Sequence, residues 1–158
     1  MRTAGGQSLR QILCFALIAG SLPAFAADLP GVENADRARS NYILNCQGCH
    51  GPNGEGSVRG LVPRMQGFLG NFLRVEGGRA FMVQVPGSAN APLSDAALAE
   101  VLNWLLPTIS GDELPADFRP YTASEVGELR KTPAIDVDVR RAALIAEMQQ
   151  EDAARPGS

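Results

Sequence analysis

The chain is poor in the groups that do acid–base and metal chemistry. Among its 158 residues there are one histidine, His50, and three cysteines, Cys14, Cys46 and Cys49. A single imidazole leaves no second histidine for a distal acid–base role, and no Ser-His-Asp set or paired-carboxylate constellation is present. Residues 51–60 are glycine-rich but lack the Lys-Ser/Thr of a nucleotide loop, which leaves them as turn chemistry. These absences make no case for an enzyme in its own right. No apolar run is long enough to cross a membrane. Basic residues are outnumbered, 14 Lys+Arg against 17 Asp+Glu for a net charge of −3, which argues against nucleic acid as a partner. No strand is convincing, and no internal repeat is found.

What the chain does have begins at its N-terminus. Arg2 and Arg10 give a positive start, residues 12–20 are a short apolar run, and Ala24-Phe25-Ala26 supplies a small-x-small cleavage signal. This pattern predicts a signal peptide over residues 1–26, cleaved between Ala26 and Ala27, with a bacterial periplasm as the destination. A buried N-terminal helix is the alternative. Cys14 leaves with the leader. Its context, Gln11-Ile12-Leu13, lacks the small residues of a lipoprotein cleavage site, so no membrane anchor is expected after cleavage.

The two remaining cysteines form Cys46-Gln47-Gly48-Cys49-His50, the C-x-x-C-H pattern of covalent c-type haem attachment. Two thiols add across the porphyrin's two vinyl groups, and two intervening residues let both sulfurs reach one edge of the macrocycle. His50 follows at once, which places its imidazole to bind the iron as proximal ligand. A bare redox pair or half of a zinc site are the competing readings. A zinc site needs two further Cys or His ligands, and none follows.

Around the motif, residues 33–46 read as a helix running into it, with Ala35, Ala38, Tyr42 and Cys46 on related faces. A short helix is expected around residues 67–74. Residues 81–85 suit extended structure, and residues 85–92 read as a loop. Ser94 caps a helix carrying Asp95 in its first turn and the stripe Leu98, Val101, Leu102 and Leu105, which Pro107 is expected to stop. Residues 27–110 thus form the haem domain, and residues 111–158 an acidic, partly helical extension. In the extension, Thr122 caps a helix with Glu125 at its third position, a capping box that Pro133 closes off. A last helix runs from Asp138 or Val139 to about Gln149, with Ala143, Ile145 and Met148 as its apolar content.

Over residues 33–106 the chain resembles a class I, mono-haem c-type cytochrome of bacteria. The resemblance is carried by Ala38-x3-Tyr42-x3-Cys46-Gln47-Gly48-Cys49-His50-Gly51, by Gly60-Leu61-Val62-Pro63-Arg64-Met65-Gln66-Gly67, and by Pro92-Leu93-Ser94-Asp95 leading the last core helix. It implies an all-α cytochrome c fold, three to five short helices around one haem c. It also implies that the first and last helices cross with Ala38 where the family has glycine, beside Tyr42 and Trp104. Pro63 stands where a family proline offers its carbonyl to the proximal imidazole; the alternative is a plain turn proline. The family places a methionine ligand in the loop before the last helix, and here residues 85–92 contain none. Met82 is the nearest candidate for the sixth ligand and Met65 the alternative, with no methionine ligand as the third case. Met148 is set aside as too distant.

The expected function is single-electron transfer between periplasmic redox proteins, a donor dehydrogenase and an acceptor oxidase or cytochrome. Arg59, Arg64, Arg74 and Arg79, opposed locally only by Glu76, are the candidate docking cluster. The alternatives are a haem-based sensor or small-molecule binder with an open sixth position, and a dedicated electron-accepting subunit of a periplasmic dehydrogenase docked through residues 111–158.

Overall fold

The computed structural model describes residues 29–155 except Val58, together with Met1. The expected leader, Met1 aside, lies outside the described residues. Every regular element among the described residues is helical, so the fold is all-α. None of these helices is long and apolar enough to cross a membrane.

Helix α1 (Ala35–Asn45) starts where the Asn34 side chain accepts the Arg37 backbone N–H, and Asp36 sits in its first turn. It buries Ala38 and Tyr42, and runs into the single turn α2 (Gln47–His50) through Cys46. A 3-10 segment, Leu69–Arg74, follows the loop after the motif. Helix α3 (Gly78–Gln84) starts beyond left-handed Gly77 (φ 76°). At Gly78 a Cβ would lie 2.8 Å from the Phe72 carbonyl carbon, so only glycine lets α3 seat on this segment. That packing, with the Phe72 and Phe81 rings 5.3 Å apart, turns residues 81–84 into helix where the sequence suggested extension.

The expected loop over residues 85–92 contains one helical turn, α4 (Pro86–Ala89), begun by a proline at the position where its missing N–H costs nothing. Helix α5 (Asp95–Ile109) is capped by Ser94 as expected, but it passes Pro107 and ends two residues later. Pro107 lies in the last turn, where Ser110 N–H still reaches the Leu106 carbonyl at 3.0 Å and closes the helix beyond it.

Helix α5 is the axis of the core. The stripe Leu98, Val101, Leu102 and Leu105 is buried, joined by Ala99, Leu106 and Ile109. Helix α1 crosses α5 with Ala38 fully buried and the Tyr42 and Trp104 rings 5.7 Å apart. The crossing is pinned by Glu100, a buried carboxylate. It accepts from the Glu33 and Asn34 backbone N–H groups at 3.0 and 2.9 Å and from two nitrogens of Arg37 at 2.8 Å each. The Arg37 guanidinium, more than any other contact, holds the Glu100 carboxyl below the usual carboxylate range.

A carboxyl depressed in the folded state stabilises above its unfolded pKa, and that contribution is lost as pH falls through its folded value. Glu100→Gln is therefore expected to cost about 2–3 kcal/mol at neutral pH, from four weakened charge-assisted contacts in a buried setting. The gap should start to shrink in denaturant melts as pH falls below the unfolded glutamate value of about 4.3, and close only once pH has passed the lower folded value, where the wild-type carboxyl is itself neutral.

Residues 111–155 pack into this same core. Helix α6 (Ala123–Leu129) begins at Thr122, whose hydroxyl accepts the Glu125 N–H at 3.1 Å. The reciprocal half of the expected capping box is replaced, because the Glu125 carboxylate binds Arg79 Nε and Nη2 at 2.5 and 2.8 Å. Helix α6 ends at Leu129, four residues before Pro133, and α7 (Val137–Ala154) outruns its expected end. The buried residues of α7 are Leu144 and Met148, with Ile145 partly buried, whereas Ala143 is exposed. Tyr121, Val126, Leu144 and Met148 share one cluster with Tyr42 and the α5 stripe.

Two polar staples fix the extension. Asn103, 1% exposed, accepts the Tyr121 backbone N–H at 2.7 Å and donates to the Tyr121 carbonyl at 3.0 Å and the Gly31 carbonyl at 3.1 Å. Arg130 donates to the carbonyls of Ala89, Leu93 and Ala91 at 3.0, 2.8 and 2.6 Å, and to Asp95 at 3.0 Å.

Candidate functional site

The site residues of the motif lie on one helical turn. Cys46 C=O accepts from the N–H groups of Cys49 and His50 at 3.2 and 3.0 Å, which curls the chain so that positions i, i+3 and i+4 fall on one face. Tyr42 locks the start and end of this segment together, its hydroxyl donating to the Gly51 carbonyl at 2.6 Å while Cys46 N–H bonds the Tyr42 carbonyl at 2.8 Å. Gly51 (φ 79°) then turns the chain away from His50.

Both cysteines are free thiols, Cys46 half-buried and Cys49 exposed. Burial, and then the neighbouring Cys49, push the Cys46 thiol up in pKa, so it stays protonated at neutral pH. Burial pushes His50 down, which keeps its imidazole neutral, the form that binds a metal. His50 Nδ1 is buried with no hydrogen-bond partner. The bond that the family resemblance assigns from this ring to the Pro63 carbonyl is not made, and Pro63 lies exposed on its loop. The two loops are nonetheless tied. Gly56 N–H donates to the His50 carbonyl at 2.9 Å, and a Cβ on Gly56 (φ 77°) would lie 2.9 Å from the Pro63 carbonyl carbon.

These features fit a covalently held porphyrin. Two unpaired thiols stand one helical turn apart, one of them open to solvent, and a neutral, desolvated imidazole adjoins them. They do not fit a bare metal ion: among the described residues no three His, Cys, Asp or Glu side chains converge on a common point.

The candidate sixth ligands are separated by the fold. Met65 belongs to the loop of the motif itself, its N–H bonded to the Gly54 carbonyl at 2.8 Å. Met82 is 5% exposed on α3 within the core. Met148, which sequence reasoning set aside, is 4% exposed in that core as well. The pattern that could have flagged it is Leu144 and Met148 at i, i+4 on the last helix.

The four-arginine cluster is split. Arg79 lies 3.9 Å over the Tyr121 ring and binds Glu125, and Arg74 pairs with Asp152 on α7. Arg59 and Arg64 stay exposed.

Compared with known proteins, the chain is 30% identical over 120 residues to a cytochrome c-552 of Thermus thermophilus, spanning 65% of this chain and 80% of that protein. It is 32% identical over 114 residues to a further Thermus thermophilus cytochrome c-552, spanning 61% of this chain and 85% of that protein. No family model and no solved structure matches.

Proposed function

The chain belongs to the c-type cytochromes, electron-transfer proteins, and from that premise we propose that it is a periplasmic mono-haem carrier of single electrons, exported by its leader, and not an enzyme. The observation that carries the proposal is the turn Gln47–His50 with its two free thiols and neutral imidazole. Cys46 and Cys49 would form the thioethers and His50 would bind the iron, with Pro63 on the loop that Gly56 ties to His50. When bound, the haem iron supplies the one-electron couple. The chain's own part is to fix the imidazole, exclude water and change little on electron transfer. The apolar core around α5 and the Glu100, Asn103 and Arg130 contacts serve that end. Its partners in this reading are periplasmic redox proteins, a donor dehydrogenase and an acceptor oxidase or cytochrome.

Met82 is the proposed sixth ligand. Its thioether is buried in the core on α3, whereas Met65 belongs to the loop that follows the attachment turn. A thioether ligand raises the potential. Absorption spectra of the oxidised holoprotein test this. A weak band at the red end reports sulfur ligation, and Met82→Ala should abolish it while Met65→Ala keeps it. Persistence of the band in Met82→Ala overturns the assignment. One observation favours a second reading, a sensor with an open sixth position: residues 85–92 carry no methionine. Prompt, stoichiometric carbon monoxide binding by the reduced wild type would select it.

A further inference from the structure

Helix α7 has two long faces, and the fold uses one of them. Leu144 and Met148 are buried, Val137 and Arg141 are half-buried, and the helix packs on the Leu69–Arg74 segment. On the far side Val139 is 70% exposed, and Ala143, Ala146 and Gln150 are exposed with it. Ile135, just ahead of the helix, is 85% exposed. Val139, Ala143, Ala146 and Gln150 recur at steps of four, three and four, the 3.5-residue repeat by which two helices pack along a common seam. Single exposed apolar residues are ordinary, but Ile135 and Val139 stand together at the head of such a seam.

The charges beside the seam decide what fills it. Arg140 and Glu147 flank it on one side, and the uncharged Ala142 and Gln149 flank it on the other. Among the described residues neither Arg140 nor Glu147 has an ion-pair partner, whereas Glu151 and Asp152 of the same helix pair with Arg74. In an antiparallel pair of identical helices, Ala143 set against Ala146 of a second copy puts Val139 on Gln150 of that copy. Ile135 then covers Ala154 of the second copy. The same register brings Arg140 of each chain beside Glu147 of the other, once on each side of the axis. A parallel pair leaves both charges facing the uncharged flank, without an opposite partner.

We propose that this face of α7 is an interface between two copies of the chain, an antiparallel, two-fold pairing of α7 with α7. A two-fold axis makes the contact self-complementary, so every favourable pair forms twice. The Arg140–Glu147 pairs lie at the rim, where they select register and orientation more than they add affinity. One helix pair makes a modest interface, so the dimer is expected to dissociate in the micromolar range. The haem-attachment turn takes no part in the contact, and the pairing stands whatever the iron does.

Sedimentation equilibrium of the holoprotein over a range of concentrations reads the pairing directly. The wild type should pass from monomer to dimer as concentration rises. Val139→Asp should stay monomeric, with its haem spectrum and thermal melt unchanged because the residue is exposed. Arg140→Glu and Glu147→Arg should each weaken dimerisation by about tenfold or more at low ionic strength, through two like-charge contacts per dimer. The double variant Arg140→Glu with Glu147→Arg should return to near the wild-type value, a rescue that damage to α7 itself would not give. A wild-type holoprotein still monomeric at about 1 mM overturns the proposal and leaves the face to a different protein. A dimer that ignores Val139→Asp is built on another surface and overturns it as well. Single reversals that the double variant fails to rescue overturn the antiparallel pairing.

Discussion

A chain ending at Ser110 should fail to fold, instead of folding and losing only a partner. Truncation there removes Tyr121, Val126, Leu144 and Met148, all buried in the cluster that contains the α5 stripe. Four such side chains at about 1.5–3 kcal/mol each amount to about 6–12 kcal/mol, comparable with the whole stability of a small domain, about 5–15 kcal/mol. Polar losses come on top. The Asn103 amide would lose both bonds to Tyr121, leaving its buried oxygen unpaired. The carbonyls of Ala89, Ala91 and Leu93 would lose the Arg130 guanidinium that satisfies them. The expected result is a chain without a cooperative thermal transition, rapidly cleaved by protease and unable to retain haem. A truncated protein that melts cooperatively with haem bound would show that residues 111–158 are an appendage.

The site and the fold were legible to different degrees, for physical reasons. The turn that brings Cys46, Cys49 and His50 together was readable because the C-x-x-C-H spacing lies in one short stretch of the chain itself. So were α1, the Ser94 and Thr122 caps and the α5 stripe, which are local patterns. The fate of residues 111–158 was not readable. Their apolar content is modest, and their attachment depends on pairings 18 to 78 positions apart, such as Tyr121 with Asn103 and Arg74 with Asp152. The same distance effect undid the arginine cluster. Arg74 and Arg79 are sequence neighbours of Arg64, but their partners lie on α7 and α6. Extension was expected at residues 81–85 because Phe81, Val83 and Val85 are strand formers. Tertiary packing of Phe81 on Phe72 overrode that propensity. Pro107 misled because a proline in the last turn removes only an N–H and leaves the closing bond of Ser110 intact. Glu100 gave no sequence signal. A carboxylate in an apolar stripe reads as a surface residue until α1 is laid across it.

Replacing both Cys46 and Cys49 by alanine should abolish covalent haem entirely, with each single variant keeping one thioether. The two sulfurs are unequal: Cys46 is half-buried against the core with its thiol pushed up in pKa, and Cys49 is exposed. As free thiols, the two sulfurs can add to the porphyrin's vinyl groups. That addition moves S–H across C=C and needs no oxidant. The loss should therefore track the number of sulfurs removed. Acid–acetone extraction followed by mass spectrometry reads it directly. Wild type keeps its haem in the protein fraction, the double variant releases any haem it holds, and each single variant retains haem through its one remaining bond. His50→Ala separates attachment from ligation. It should keep the added mass, since both thiols remain, but shift the absorption spectrum of oxidised and reduced protein because the proximal imidazole is gone. Haem still covalently held in the double variant would mean that some other group makes the bond, and the assignment of the turn Gln47–His50 would have to be abandoned.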